Sequence, residues 1–125
     1  MRRLAVPCAV LALLVGCGGD DEEATRTVTV EQGSPLRISA KEYAFDPATV
    51  VVEGGGPLTI ELHNAGSLPH DIRLRRGGRE IGGTPRFAGG RTRSATLRLQ
   101  AGRYEFLCTV GDHAELGMRG TLQVR

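Results

Sequence analysis

No part of this 125-residue sequence holds a helical period for long. No apolar run in it reaches the roughly twenty residues that a membrane-spanning helix needs. These absences exclude a helical bundle and a polytopic membrane protein, and the length leaves room for one domain rather than a large multidomain enzyme. Side chains that ligate transition metals are scarce as well: three cysteines, three histidines and two methionines. What the sequence has in quantity is turn-forming residue, with 18 glycines and 6 prolines. Apolar residues make up 40% and charged residues 24%, a balance that excludes a wholly disordered polyampholyte. The pattern is one of short strands joined by tight turns, with enough chain to close a single core.

The N-terminal stretch reads as an export signal. Arg2 and Arg3 precede an apolar run from Leu4 to Val15, interrupted by Pro7, about a dozen residues long. It ends in Leu14-Val15-Gly16-Cys17, which resembles the lipobox of bacterial lipoproteins. That resemblance implies cleavage before Cys17 and lipidation of its sulfur; an ordinary cleaved signal peptide is the alternative. On this reading residues 1–16 are a signal peptide, 17–33 a lipidated N-terminus and flexible tether, and 34–125 the folded domain. The tether sets Asp20, Asp21, Glu22, Glu23 and Glu31 against Arg26. Thr27, Val28, Thr29 and Val30 alternate as an edge strand would, but the composition reads mainly as a spacer. Cleavage leaves Cys17 and Cys108. With lipid on Cys17 no disulfide can form, and Cys108 becomes a lone thiol in an oxidising compartment, prone to oxidation unless buried or metal-bound.

Period-two alternation recurs through the domain. Leu36, Ile38 and Ala40 share one parity, as do Leu58, Ile60, Leu62 and Asn64. Ile72 with Leu74, Leu97 with Leu99, Tyr104 with Phe106, and Leu122 with Val124 repeat the pattern, and Val50, Val51 and Val52 form a β-branched run. Six or seven such strands between glycine-rich turns predict an all-β fold, an antiparallel Greek-key β-sandwich.

Extending these phases to the strand ends brings out the chemistry. His70 has the inward parity of Ile72, Cys108 that of Phe106, and Met118 that of Leu122, while His113 lies in the loop between Cys108 and Met118. Two imidazoles, a thiolate and a thioether match the trigonal His₂Cys arrangement with a weak axial methionine that selects copper for electron transfer. Each residue alone is an ordinary core or surface residue; in phase at strand ends they form a candidate centre for one copper ion. His63 has the outward phase and is expected at the surface, away from the metal.

Cys108-x₄-His113-x₄-Met118, followed by residues 119–124, resembles the C-terminal signature of the cupredoxins, the plastocyanin/azurin family of blue (type 1) copper proteins. Residues 64–70, 43–47 and 101–106 fit the same pattern, so the resemblance runs from about Leu36 to Val124. It implies that His70, Cys108 and His113 are equatorial ligands and Met118 the axial one. It also implies that His113 lies near the surface among Gly66, Leu68, Pro69, Ala114 and Gly117. Two positions depart from the family's usual pattern. Asp71, facing Thr109, stands where Asn is common, and Gly111-Asp112 precedes His113 where Pro-Gly is common. Asn64 is expected to tie the two ligand loops together by side-chain hydrogen bonds.

Charge supplies the last expectation. Between Arg73 and Arg103 there are nine arginines and one acid, Glu80. The leader argues against nucleic acid, which leaves an acidic redox partner protein, anionic lipid headgroups, or simply a solvated arginine surface. The expectation is a monomeric electron carrier, not an enzyme, anchored to the membrane outside the cytoplasm. Copper trafficking or storage is the alternative function.

Overall fold

The computed structural model describes residues 26–125. The signal peptide, Cys17 and most of the tether lie outside the described residues. Ten strands form two sheets: β1 (Thr27–Glu31), β2 (Leu36–Lys41), β3 (Ala44–Asp46), β4 (Thr49–Glu53), β5 (Gly56–Asn64), β6 (Arg73–Arg76), β7 (Arg79–Gly83), β8 (Thr92–Leu99), β9 (Gly102–Leu107) and β10 (Arg119–Val124). One sheet runs β1-β4-β10-β9-β6-β7 and the other β3-β2-β5-β8. The expected β-sandwich is present, with mixed sheets: β1–β4, β4–β10 and β2–β5 pair in parallel.

The alternating residues do what their phase implies. Leu36, Ile38, Ala40, Leu58, Ile60, Leu62, Leu74, Tyr104, Phe106, Leu122 and Val124 all fill the space between the sheets. Each large aliphatic or aromatic side chain so buried is worth about 1.5–3 kcal/mol of transfer free energy. Phe106 meets Phe45 edge-on with ring centroids 5.5 Å apart. Its ring reaches the backbone of Gly120, where an added Cβ would fall 2.1 Å from a ring carbon. The glycine on β10 is thus what lets Phe106 occupy the centre of the core.

The boundary at residue 34 is corrected. Thr27–Glu31 is an edge strand, paired with β4 from Thr27↔Thr49 to Glu31↔Glu53, and Val30 is buried in the core. Two valines facing inward outweigh the polar surroundings that suggested a spacer, so the folded unit starts by Thr27.

The site is positioned by strand ends. β5 ends at Asn64, β9 runs into Cys108, and β10 begins just after Met118. His70 joins the same end through a two-bond bridge with Phe87: its N–H donates to Phe87 O at 3.2 Å and its carbonyl accepts from Phe87 N at 3.0 Å.

Candidate metal centre

His70, Cys108 and His113 converge in one buried cluster. Cys108 Sγ lies 3.8 Å from His70 Nδ1 and 3.6 Å from His113 Nδ1, and the two Nδ1 atoms are 3.2 Å apart. A first-row metal with bonds of about 2.0 Å to imidazole nitrogen and about 2.3 Å to thiolate sulfur calls for near-trigonal edges of roughly 3.5–3.7 Å. The donor triangle fits. Two imidazoles and one soft thiolate in a trigonal array favour copper over the hard cations.

Separate elements hold each donor. Cys108 continues β9, and its N–H donates to Met118 O at 3.1 Å, zipping the two ends of the ligand loop together. Within that loop His113 N donates to Val110 O, Leu116 N to Asp112 O, and Met118 N to His113 O at 3.0 Å. The loop is closed by its own backbone, even with Gly111-Asp112 where relatives often have Pro-Gly. Met118 is fully buried and its main chain is bonded to both Cys108 and His113.

Asp71 links the two ligand-bearing segments. Its Oδ1 accepts the backbone N–H of Thr109 at 2.6 Å, and its Oδ2 accepts the Thr109 hydroxyl. The expectation for Asn64 is corrected. Asn64 Nδ2 donates to Leu68 O at 2.9 Å and to Phe87 O at 3.0 Å, while Oδ1 accepts from Gly66 N at 3.0 Å. It therefore shapes the loop before His70 and fastens it to Phe87, with no bond to the Cys108–Met118 loop. Asn64 is in phase with the core of the small sheet, and what lies above it there is its own loop. His63 is exposed as expected, 3.1 Å from Thr92 Oγ1 on the outer face.

Two residues that sequence reasoning did not place at the site come from the turn between β2 and β3. Glu42 Oε1 accepts from Ser67 N at 2.9 Å and Leu68 N at 2.6 Å, and lies 3.3 Å from His70 Nε2. Tyr43 packs edge-on against His113 with ring centroids 5.0 Å apart. Position carried the only signal for Glu42, whose turn follows directly on an inward strand; Tyr43 opens the 43–47 stretch that fits the family pattern, and neither residue belongs to a ligand motif.

Burial pushes the His70 ring below the usual histidine range, with the Glu42 carboxylate working in the opposite direction. Burial also pushes the Cys108 thiol up. Without metal, the folded protein therefore keeps a neutral ring and a protonated thiol, so copper binding releases the thiol proton. The sign for stability follows. Below pH of about 6.5 the unfolded chain takes up a proton on His70 that the folded metal-free protein refuses. The metal-free form is expected to lose stability as the pH falls through that range, and the loss levels off once the folded ring also protonates. Denaturant midpoints of the metal-free protein at pH 7 and at pH 5.5 check this, with the lower midpoint expected at pH 5.5.

A family model described as a cupredoxin-like domain matches residues 5–124. The chain belongs to the cupredoxin-like family. Among solved structures this cupredoxin is similar to a reduced auracyanin from Roseiflexus castenholzii. The TM-score is 0.68 at 22% identity, covering 73% of this chain and 96% of that one. It is also similar to auracyanin A from Chloroflexus aurantiacus, described as a blue copper protein, with TM-score 0.63 and 25% identity over 74% of this chain and all of that one. In sequence it is 29% identical over 127 residues to the copper-resistant cuproprotein CopI of Rubrivivax gelatinosus, spanning 88% of this chain and 73% of that protein. His70, Cys108 and His113 of this cupredoxin are positioned to bind one copper ion.

Proposed function

We propose that this protein is a blue copper electron carrier that passes single electrons between redox partner proteins, held at the membrane outside the cytoplasm by lipid on Cys17. The observation that carries the reading is the buried donor triangle with edges of 3.2, 3.6 and 3.8 Å. A bound copper ion supplies a one-electron couple, and the protein's part is to hold its ligands still. Each donor is fixed by backbone bonds from a different segment, so little has to move when the charge at the centre changes. Met118, fully buried and bonded through its main chain to both Cys108 and His113, would supply the thioether of the copper site, a donor that favours the reduced ion.

The outward route passes through His113. This ring is 7% exposed, and Tyr43 beside it, Leu68 and Leu116 are the exposed apolar side chains of the loops at this end. A partner docking on them would meet the edge of His113. The arginine-rich segment divides here. Arg86, Arg91 and Arg93 flank Phe87, which the bridge to His70 brings to the copper end. Arg98 pairs opposite Pro57 at the far end of the sandwich. The first group supports an acidic partner protein.

Handling of copper in resistance is the second reading, favoured by the resemblance to a relative named as a copper-resistance protein. It requires copper to pass to an acceptor, whereas a carrier retains its copper through cycles of oxidation and reduction. An oxidase would need further copper centres, and the sequence offers one histidine, His63, beyond the two in the cluster. The absorption spectrum of the Cu(II)-loaded protein tests the proposal. An intense visible thiolate-to-copper band is expected, and a colourless copper complex would refute it.

A further inference from the structure

We propose that Glu42 is a positioning residue for the copper ligand His70. Its carboxylate receives the Nε2–H that ligation through Nδ1 leaves inside the protein, fixing the ring and holding the reduction potential down. The inference rests on the copper-carrier reading above and adds to it a residue that lies in no ligand motif.

The ring's orientation comes first. His70 Nδ1 faces the donor triangle, 3.2 Å from His113 Nδ1. A neutral imidazole that ligates through one nitrogen carries its proton on the other. The Nε2–H therefore points away from the centre, and the His70 side chain is completely buried there. A buried N–H left without an acceptor is unfavourable, because it has given up its hydrogen bond to water and gained none in return. Nε2 has no formed hydrogen bond among the described residues, and Glu42 Oε1 stands 3.3 Å away, out of line. A small rotation of ring or carboxylate completes the bond.

The carboxylate is built into this place. Leu68 N and Ser67 N both donate to Oε1, and those backbone bonds, Leu68 first, hold its pKa below the usual carboxylate range. The space it occupies exists because residue 66 is glycine: a Cβ there would come within 2.7 Å of both carboxylate oxygens. Among the described ion pairs, Glu42 touches no arginine or lysine, and its one titratable contact is the neutral ring of His70. An unneutralised negative charge on the distal side of a ligand ring makes that ring a stronger donor. The stronger donor stabilises Cu(II) over Cu(I).

Voltammetry of the copper-loaded full chain decides the matter. Glu42→Gln keeps an oxygen acceptor and removes the charge. The affinity for Cu(II) relative to Cu(I) is expected to fall about tenfold, which raises the one-electron potential by about 59 mV with the visible band retained. Gly66→Ala displaces the carboxylate without altering any charge and should shift the potential in the same direction. Glu61→Gln, which removes a half-buried carboxylate paired with Arg37 on the outer face, should leave it in place. A metal-free readout is independent of copper: nitrogen NMR should show one Nε2–H tautomer of His70 in the parent protein and a mixture in Glu42→Ala. An unchanged or lowered potential in Glu42→Gln, or an unchanged tautomer in Glu42→Ala, overturns the assignment while a blue parent protein stands. A parent protein with no visible band overturns the carrier reading, and this inference with it.

Discussion

Replacing Cys108 by serine is expected to abolish the visible thiolate-to-copper absorption and the redox function while leaving a folded sandwich. The sulfur is one vertex of the donor triangle and the only thiol in it. Burial already holds this thiol protonated in the metal-free protein, so a thiolate exists there only when a metal compensates its charge. A serine hydroxyl, far less acidic and without a polarisable sulfur, cannot take over that role. Little in the fold depends on the sulfur, by contrast. The Cys108 N–H that donates to Met118 O belongs to the main chain and survives the exchange. The side chain becomes slightly smaller and more polar in a fully buried position, so the metal-free variant should lose about 1–2 kcal/mol. Absorption spectroscopy and thermal unfolding of the two proteins check both halves. A serine variant that stays blue would show that another group is the charge-transfer ligand.

The clustering of His70 and Cys108, and the burial of Met118, were legible because period-two alternation extends past the strands that define it. His70 and Cys108 each sit one step beyond an apolar row and Met118 two steps, across Gly120, and a residue in phase at a strand end has few places to go but inward. Alternation does not encode direction or partner, which is why the parallel pairings β1–β4, β4–β10 and β2–β5 had no sequence signal. The first strand was obscured by its neighbours: acids dominate the residues before it, and Val28 and Val30 alone carry its inward face. Asn64 shows the same limit at a single residue. Its phase correctly gave burial, but its hydrogen-bond partners depend on how the 65–69 loop folds back over it, and phase says nothing of loops. Glu42 was invisible for the same reason. It acts across 26 residues of sequence on Leu68, from a turn whose composition is unremarkable.

Asp71→Asn is expected to raise the reduction potential while keeping the blue band. Asp71 is 6% exposed and sits directly after a ligand, accepting both the N–H and the hydroxyl of Thr109, the residue after Cys108. A buried negative charge here stabilises the more positive, oxidised centre. Burial is the main cause that raises the Cys108 thiol; the main-chain N–H of Asp71 lowers it and the Asp71 carboxylate raises it, and only the carboxylate's part changes in the variant. At an effective dielectric of about 20, a unit charge within about 10 Å is worth on the order of 1–2 kcal/mol. Solvent reduces this, leaving a rise on the order of 50 mV for one electron. The asparagine oxygen can still accept the Thr109 N–H, and its amide can donate to the Thr109 hydroxyl, so the link between the two ligand segments survives. Asp71→Ala removes both bonds and should cost a further few kcal/mol of stability, since hydrogen bonds to a charged group are worth about 1.5–3 kcal/mol each. Voltammetry and thermal unfolding of the two variants therefore separate charge from scaffold. The asparagine protein should move in potential and hold its melting temperature, whereas the alanine protein should lose both. An asparagine variant with an unchanged or lowered potential would mean that the Asp71 charge is spent on Thr109 and does not reach the copper.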